Sequence, residues 1–302
     1  MTASGVDSPT EARNPATAGI DQLSTSDILR LLAEQDATVP AAVAGTLPEL
    51  ARAVDLVVAA LRAGHRIRCA GAGTSGRLAA LDADELGPTY GLEPGRWTAH
   101  VAAFGDGLDG EDDTAAGAAV GELSQPGDVL VAVTASGRTP YAVAALRAAA
   151  AHGAGTVLVS GNPDAAMGSE VDVHVAVRTG PEAVSGSTRL KAGTAQKLVL
   201  NALSTAAMIR SGRTYSNLMV GLVPTNGKLH ARLAAALAEA SGRDAEACAA
   251  ALTEAGGNGR VALITLLTGA TAADAQRALT SAGGNVREAL TVLSLAIPSP
   301  NG

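Results

Sequence analysis

The chain has 302 residues, 47% hydrophobic and 17% charged, with a formal net charge of −7. That length implies one large domain, or one with a small companion, and so much apolar material excludes a disordered chain. The acidic balance excludes a nucleic-acid partner, which needs a basic face. Two distant cysteines, Cys69 and Cys248, make neither a disulfide framework nor a metal pattern, and they fit a reducing cytoplasm.

The first 20 or so residues are rich in Ser, Thr and Pro and read as an extended arm, without the apolar core of a signal peptide. No charge-free apolar run of 18 residues occurs anywhere, so no membrane span or membrane partner is expected. LSTSDILRLLAEQ opens on capping residues and reads as a helix, and a longer helix runs through 40–63 to Gly64. Alternation then begins. HRIRCAGA (65–72) is a strand, SGRLAALDADEL a helix, RWTAHVAAF (96–104) a second strand and GDGLDGEDDT an acidic loop. A short helix over 113–121, a strand over 127–136 and a helix over 140–152 follow, then two strands in AGTVLVSG and VDVHVAV. Strands alternating with helices predict an α/β fold, a Rossmann-like three-layer arrangement with a parallel sheet flanked by helices. Beyond 185 the chain reads as helical, with one long segment over GSTRLKAGTAQKLVLNALSTAAMIRSG. From about 240, short helices separated by Gly-Gly and Gly-Asn turns predict a small C-terminal helical bundle. The expected division is 1–240 and 241–302.

Two strand ends share one chemistry. GAGTSGR (71–77) and TASGRTP (134–140) each place glycine, hydroxyls and an arginine between a strand and a helix. Glycine lets the backbone approach an anion, the helix start offers free N–H groups, and Ser and Thr donate to phosphate oxygens. Neither loop fits GxxxxGK[ST], which argues against nucleoside triphosphates. Gly71, Gly73 and Gly76 do satisfy GxGxxG, but the nearest acid after the second strand, Asp106, stands some thirty residues on, a poor match to dinucleotide binding. A third stretch, GPEAVSGSTRLKAGTAQK (180–197), brings Ser187, Thr188, Lys191 and Lys197 to the start of the long helix. Three such segments point to a small phosphate-bearing ligand.

Acids follow each of the first two strands. Asp82, Asp84 and Glu85 lie near the end of the first crossover helix; Asp82 and Asp84 read as solvated. Asp109, Glu111, Asp112 and Asp113 lie near the sheet's ligand edge, where they could be helix-start residues or half of an acid–base pair around a sugar phosphate. The histidines are scattered without ligand spacing, and no GxSxG elbow occurs.

The runs TEARNPATAGIDQLST, GAGTSGRLAALDADELGPTYG, ASGRTPY, GPEAVSGSTRLKAGTAQKLVLNALSTAAMIRSG and YSNLMVGLVPTNGKLHAR together closely resemble the N-acetylmuramic acid 6-phosphate etherase family, in that family's order and over nearly the whole chain. The resemblance implies a sugar isomerase (SIS) type fold and a UBA-like C-terminal bundle. It also implies a cytoplasmic homodimeric lyase acting on an amino-sugar phosphate, with no metal or redox cofactor. That family cleaves the D-lactyl ether of N-acetylmuramate 6-phosphate by elimination and rehydration. Glu85 matches its general acid. The second catalytic carboxylate matches Glu111 on the Glu-Asp pair, or Asp112 on the following Asp-Thr and Gly. The phosphate and sugar would be held by Gly73, Thr74, Ser75, Ser136, Gly137, Arg138 and Thr139, with Glu182, Ser187 and Lys191 close by. Two departures stand out: Glu85-Leu86-Gly87-Pro88-Thr89 replaces the usual Glu-Cys-Pro-Pro-Thr, and the loop before Glu111 is several residues shorter. Other readings on the same fold are an aldose–ketose sugar-phosphate isomerase and a non-catalytic sugar-phosphate sensor.

Overall fold

A computed structural model describes residues 9–105, 108–224 and 226–296. Asp106, weighed above as a dinucleotide acid, and Gly107 of the acidic loop lie outside the described residues. The chain forms two compact units. One comprises the chain through Ala83 with Gly95–Ser204, and the other Asp84–Pro94 with the chain from Thr205 onward.

The first unit is built on a five-stranded parallel sheet. Strands β1 (Ile67–Gly71), β2 (Trp97–Val101), β5 (Val129–Thr134), β6 (Gly155–Ser160) and β7 (Val173–Ala176) lie in the order β2-β1-β5-β6-β7. Between β2 and β5, the two-residue strands β3 (Phe104–Gly105) and β4 (Leu108–Asp109) pair antiparallel. β1 and β5 are buried along their whole length, as expected of near-continuous apolar runs covered on both faces. The exception in β1 is Arg68, buried because Asp128 faces it: Arg68 Nη1 donates to Asp128 Oδ2 at 2.6 Å. Cys69 beside it is buried as well, which pushes its thiol up to about 12 and leaves it unreactive.

Helices cover the sheet. Helix α1 (Thr25–Asp36) starts on Ser24, whose hydroxyl accepts the Asp27 amide. The predicted helix over 40–63 is two helices, α2 (Val39–Ala44) and α3 (Leu47–Arg62). The break falls at Gly45-Thr46, because Pro48 in the first turn of α3 has no N–H to continue the ladder. α3 buries Leu50, Ala53, Val54, Val57 and Val58, a helical stripe. Helix α4 (Gly73–Tyr90) is longer than the predicted 75–86 and carries Pro88 in its last turn. Helix α5 (Thr114–Glu122) packs on α6 (Pro140–Ala151) through Gly117 and Gly121. A Cβ there would stand 2.2 Å from the Tyr141 carbonyl oxygen or 2.3 Å from that of Ala145, so glycine is what permits the approach. Helix α7 (Lys191–Arg210) starts later than the predicted long segment. The buried Glu182 accepts the amides of Lys191 and Ala192, both at 2.9 Å, and fixes the start there.

The second unit is a helical bundle of α8 (Gly227–Ser241), α9 (Ala245–Glu254), α10 (Gly259–Thr268), α11 (Ala272–Ser281) and α12 (Val286–Ala296). Side chains of Asn226, Asp244, Asn258 and Thr271 accept first-turn amides of the four helices they precede. Gly242 and Gly269 close α8 and α10 in the left-handed conformation. Leu233 and Leu237 of α8 share one core with Val261, Leu263, Ile264 and Leu279, so α8 packs as part of the bundle.

Candidate active site

The strand order reverses direction between β1 and β5: from β1 the chain moves outward to β2, then returns to the other side for β5, β6 and β7. Ligands of open parallel sheets bind at such a switch point, outside the carboxyl ends of the strands. A polar cavity of about 270 Å³ lies there, lined by the loops after β1 and β5. Ala72, Gly73, Thr74 and Ser75 come from the first loop, and Ala135, Ser136 and Thr139 from the second. Glu111, Gly186, Thr188 and Glu11 complete the wall.

The geometry of the first loop follows from its glycines. A Cβ on Gly76 would stand 2.3 Å from the Gly71 carbonyl oxygen, and one on Gly71 would meet the Gly76 amide at 2.9 Å. Glycine at both positions therefore lets α4 start hard against the end of β1. Gly73 sits at φ +53. Because α4 opens at Gly73, the amides of its first turn lack helical acceptors, and they belong to cavity-lining residues. In the second loop, Gly137 (φ +71) makes the turn, and Ser136 Oγ accepts the Arg138 amide at 3.2 Å. Asn162 Nδ2 donates to the Ser136 carbonyl at 3.1 Å, and Ser160, itself 2.8 Å from His174 Nε2, donates to the Asn162 carbonyl. Burial lowers the pKa of His174 behind the loop, against the charged ring.

Glu111 is held by a short relay. Thr139 Oγ1 donates to Glu111 Oε1 at 2.9 Å, and Thr139 Oγ1 lies 2.7 Å from Thr134 Oγ1. A hydroxyl has one proton to give, so with Thr139 donating to the carboxylate, Thr134 must be the donor to Thr139. The hydroxyl proton of Thr139, a residue of the cavity lining, is thus directed at Glu111.

The expected residues separate into three groups. Gly73, Thr74, Ser75, Ser136, Thr139 and Glu111 line one cavity, with Gly137 shaping its second loop. Of the two carboxylates left open by the sequence, Asp112 is exposed and not among the lining residues. Glu182 and Lys191 belong to the framework: Glu182 caps α7, and burial raises its pKa against the pull of the two amides. Lys191 is buried, with Nζ 3.3 Å from Gln35 Oε1. Arg138 faces a separate open groove with Pro140 and Arg147, and Ser187 precedes α7 with its amide bonded to the Val184 carbonyl. Glu85 is exposed on α4, twelve residues beyond Gly73. Asp82, read as solvated, is not. It accepts from Ser204 Oγ at 3.0 Å, and burial raises its pKa.

Glu11 was missed. It lies in TEARNP, where a single acid in a polar arm has neither periodicity nor a strand-to-helix context to flag it. The arm nonetheless forms 3-10 turns at Pro15–Thr17 and Ile20–Gln22.

A doubly wound sheet with a hydroxyl- and amide-lined cavity at its switch point is the architecture of a SIS domain, and the SIS domain family model matches residues 33–161. The chain is 56% identical over 226 residues to the N-acetylmuramic acid 6-phosphate etherase of Thermobifida fusca, covering 73% of this chain and 74% of that protein. Against the protein of that name from Cutibacterium acnes it is 46% identical over 274 residues, 88% of this chain and 90% of the other. A phosphoheptose isomerase structure from Francisella tularensis aligns at TM-score 0.49 and 18% identity over 61% of this chain and 98% of its own. The chain belongs to the N-acetylmuramic acid 6-phosphate etherase family.

Proposed function

We propose that this protein cleaves the D-lactyl ether of N-acetylmuramate 6-phosphate, releasing N-acetylglucosamine 6-phosphate and D-lactate. The observation that carries the reading is the joining, in one small cavity, of phosphate-type donors with a carboxylate fixed by a threonine. The first-turn amides of α4 with Thr74, Ser75 and Ser136 take the phosphate. In the open-chain sugar the C1 aldehyde acidifies the C2 proton. Glu111 removes that proton, the C3–oxygen bond to lactate breaks as C2=C3 forms, and an acid protonates the departing oxygen. Water then adds across C2=C3, its hydroxyl to C3 and a proton to C2.

Glu85 is the acid in this scheme, and it follows Gly73 of the phosphate loop by twelve residues along one helix. Twelve residues of helix rise about 18 Å, far more than the few bonds between a sugar's phosphate and its C3 oxygen. Leu81, one turn before Glu85 on the same face of α4, is 60% exposed, an apolar surface suited to burial against a partner. We therefore read the working form as a homodimer in which phosphate loops and acid come from different protomers. Two free buried cysteines suit a cytoplasmic setting.

The test is D-lactate release from N-acetylmuramate 6-phosphate by the purified protein. Glu111→Gln and Glu85→Gln should each lower turnover by roughly 10²–10⁴-fold while sugar-phosphate binding survives. Wild-type turnover in either variant would remove that residue from the mechanism, and binding without lactate release by the unmodified protein would point to a sensor.

A further inference from the structure

The cavity holds a second carboxylate that the reaction does not use. Glu11 lines it together with Glu111, the phosphate-type loops, Gly186 and Thr188. It comes from the N-terminal arm, and the arm is pinned on both sides of it. Thr10 is fully buried, its methyl 3.3 Å from where a Cβ would sit on Gly161, the residue following β6. Asn14 is buried too: its Nδ2 donates to Gln35 Oε1 at 2.8 Å and to the Pro181 carbonyl at 3.4 Å, and its Oδ1 accepts the Ala16 amide at 3.0 Å. Gln35 Oε1 in turn accepts from Lys191 Nζ, which ties the arm to the start of α7. The turn opposite leaves room for the carboxylate. Gly186 sits at φ +75, and a Cβ there would stand 3.1 Å from Glu11 Oε2.

An anchored carboxylate in an anion-binding cavity needs a reason. It repels a phosphate group, so it cannot face that end of the ligand. Toward the rest of a sugar phosphate the same group is an acceptor for hydroxyl or amide N–H donors, and charge-assisted bonds of that kind are the strong ones. Glu111 already has the base role, fixed by Thr139. Resting on the reading above, we propose that Glu11 is the residue that recognises the sugar: it accepts hydrogen bonds from hydroxyl or acetamido donors at the neutral end of the bound amino-sugar phosphate. The arm is then part of the binding site, and it selects sugar phosphates over bare phosphate.

The experiment is calorimetric titration of wild-type, Glu11→Gln and Glu11→Asp protein with N-acetylglucosamine 6-phosphate and, separately, with inorganic phosphate. Gln keeps the shape and one acceptor but loses the charge, while Asp keeps the charge and withdraws it by one methylene. Glu11→Gln should bind the sugar phosphate roughly ten- to a hundredfold more weakly and inorganic phosphate no more weakly than wild type. Glu11→Asp should retain more sugar-phosphate affinity than Glu11→Gln. An equal loss for both ligands would make Glu11 a mere support of the cavity, and no loss for either would leave it without a role; both results overturn the inference while the phosphate site stands. If the wild type bound neither ligand, the phosphate-site reading itself would fall, and this inference with it.

Discussion

Thr139 spends its only proton on Glu111, and the consequence can be measured. Thr139→Val keeps the branched shape but removes the donor to Glu111 Oε1 and takes from the buried Thr134 hydroxyl its Thr139 partner. Phosphate contacts survive, so kcat for lactate release should fall about tenfold or more with KM little changed. Thr139→Ser should restore most of it. A rise in KM at constant kcat would return Thr139 to the phosphate group. Asp128 makes a contrasting case, one of stability. Its burial raises the carboxyl pKa, but the amides of Arg66 and Gln125 and the Arg68 guanidinium outweigh that, and the net pKa lies below the ordinary 3.8. A folded value below the unfolded one means the stabilisation is complete above about pH 4 and fades as pH falls through the folded pKa. Asp128→Asn leaves a buried Arg68 unpaired and should cost about 3–5 kcal/mol near neutral pH. Chemical denaturation across pH is the check, with the acid-side slope of the stability curve shallower in the variant.

At the scale of elements, glycine decides how closely helices and strands approach. Gly121→Ala would gain about 1 kcal/mol of helix propensity, yet its Cβ would press on the Ala145 carbonyl oxygen at 2.3 Å and the Ala148 methyl at 2.6 Å. Overpacking of that kind costs about 1–3 kcal/mol, and a backbone carbonyl cannot rotate away as a side chain can, so the net effect should be a lower melting temperature. A melting temperature at or above wild type would show that α5 can shift off α6. The same approach distances explain what could be read in advance. The strand–helix alternation and the Gly/Ser/Thr loops are local patterns, and the sheet with its cavity at the β1–β5 switch follows from them. The α2–α3 break was also local, written in Gly45 and Pro48, though the apolar period ran across it. The start of α7 was not local: it depends on Glu182, nine residues upstream of Lys191, turning back to take two amides. Glu11 was still less legible, because its place depends on Thr10 and Asn14 packing against segments well over a hundred residues away.

At the scale of the whole molecule, the two carboxylates of the proposed reaction are the test of assembly. Glu111 lines the cavity, whereas Glu85 stands more than three helical turns beyond the loop that forms it. If each site takes Glu111 from one protomer and Glu85 from the other, Glu85→Gln and Glu111→Gln homodimers are both dead, but a mixed dimer carries one site with both wild-type acids and one with neither. Unfolding and refolding the two variants together at equal amounts makes half the dimers mixed, so about a quarter of wild-type lactate release should return. Refolding each alone and mixing afterwards, without subunit exchange, should return none. If both acids of a site came from one chain, co-refolding would restore nothing at any ratio. A single-chain site would then hold both acids, and shared-site dimerisation would be excluded.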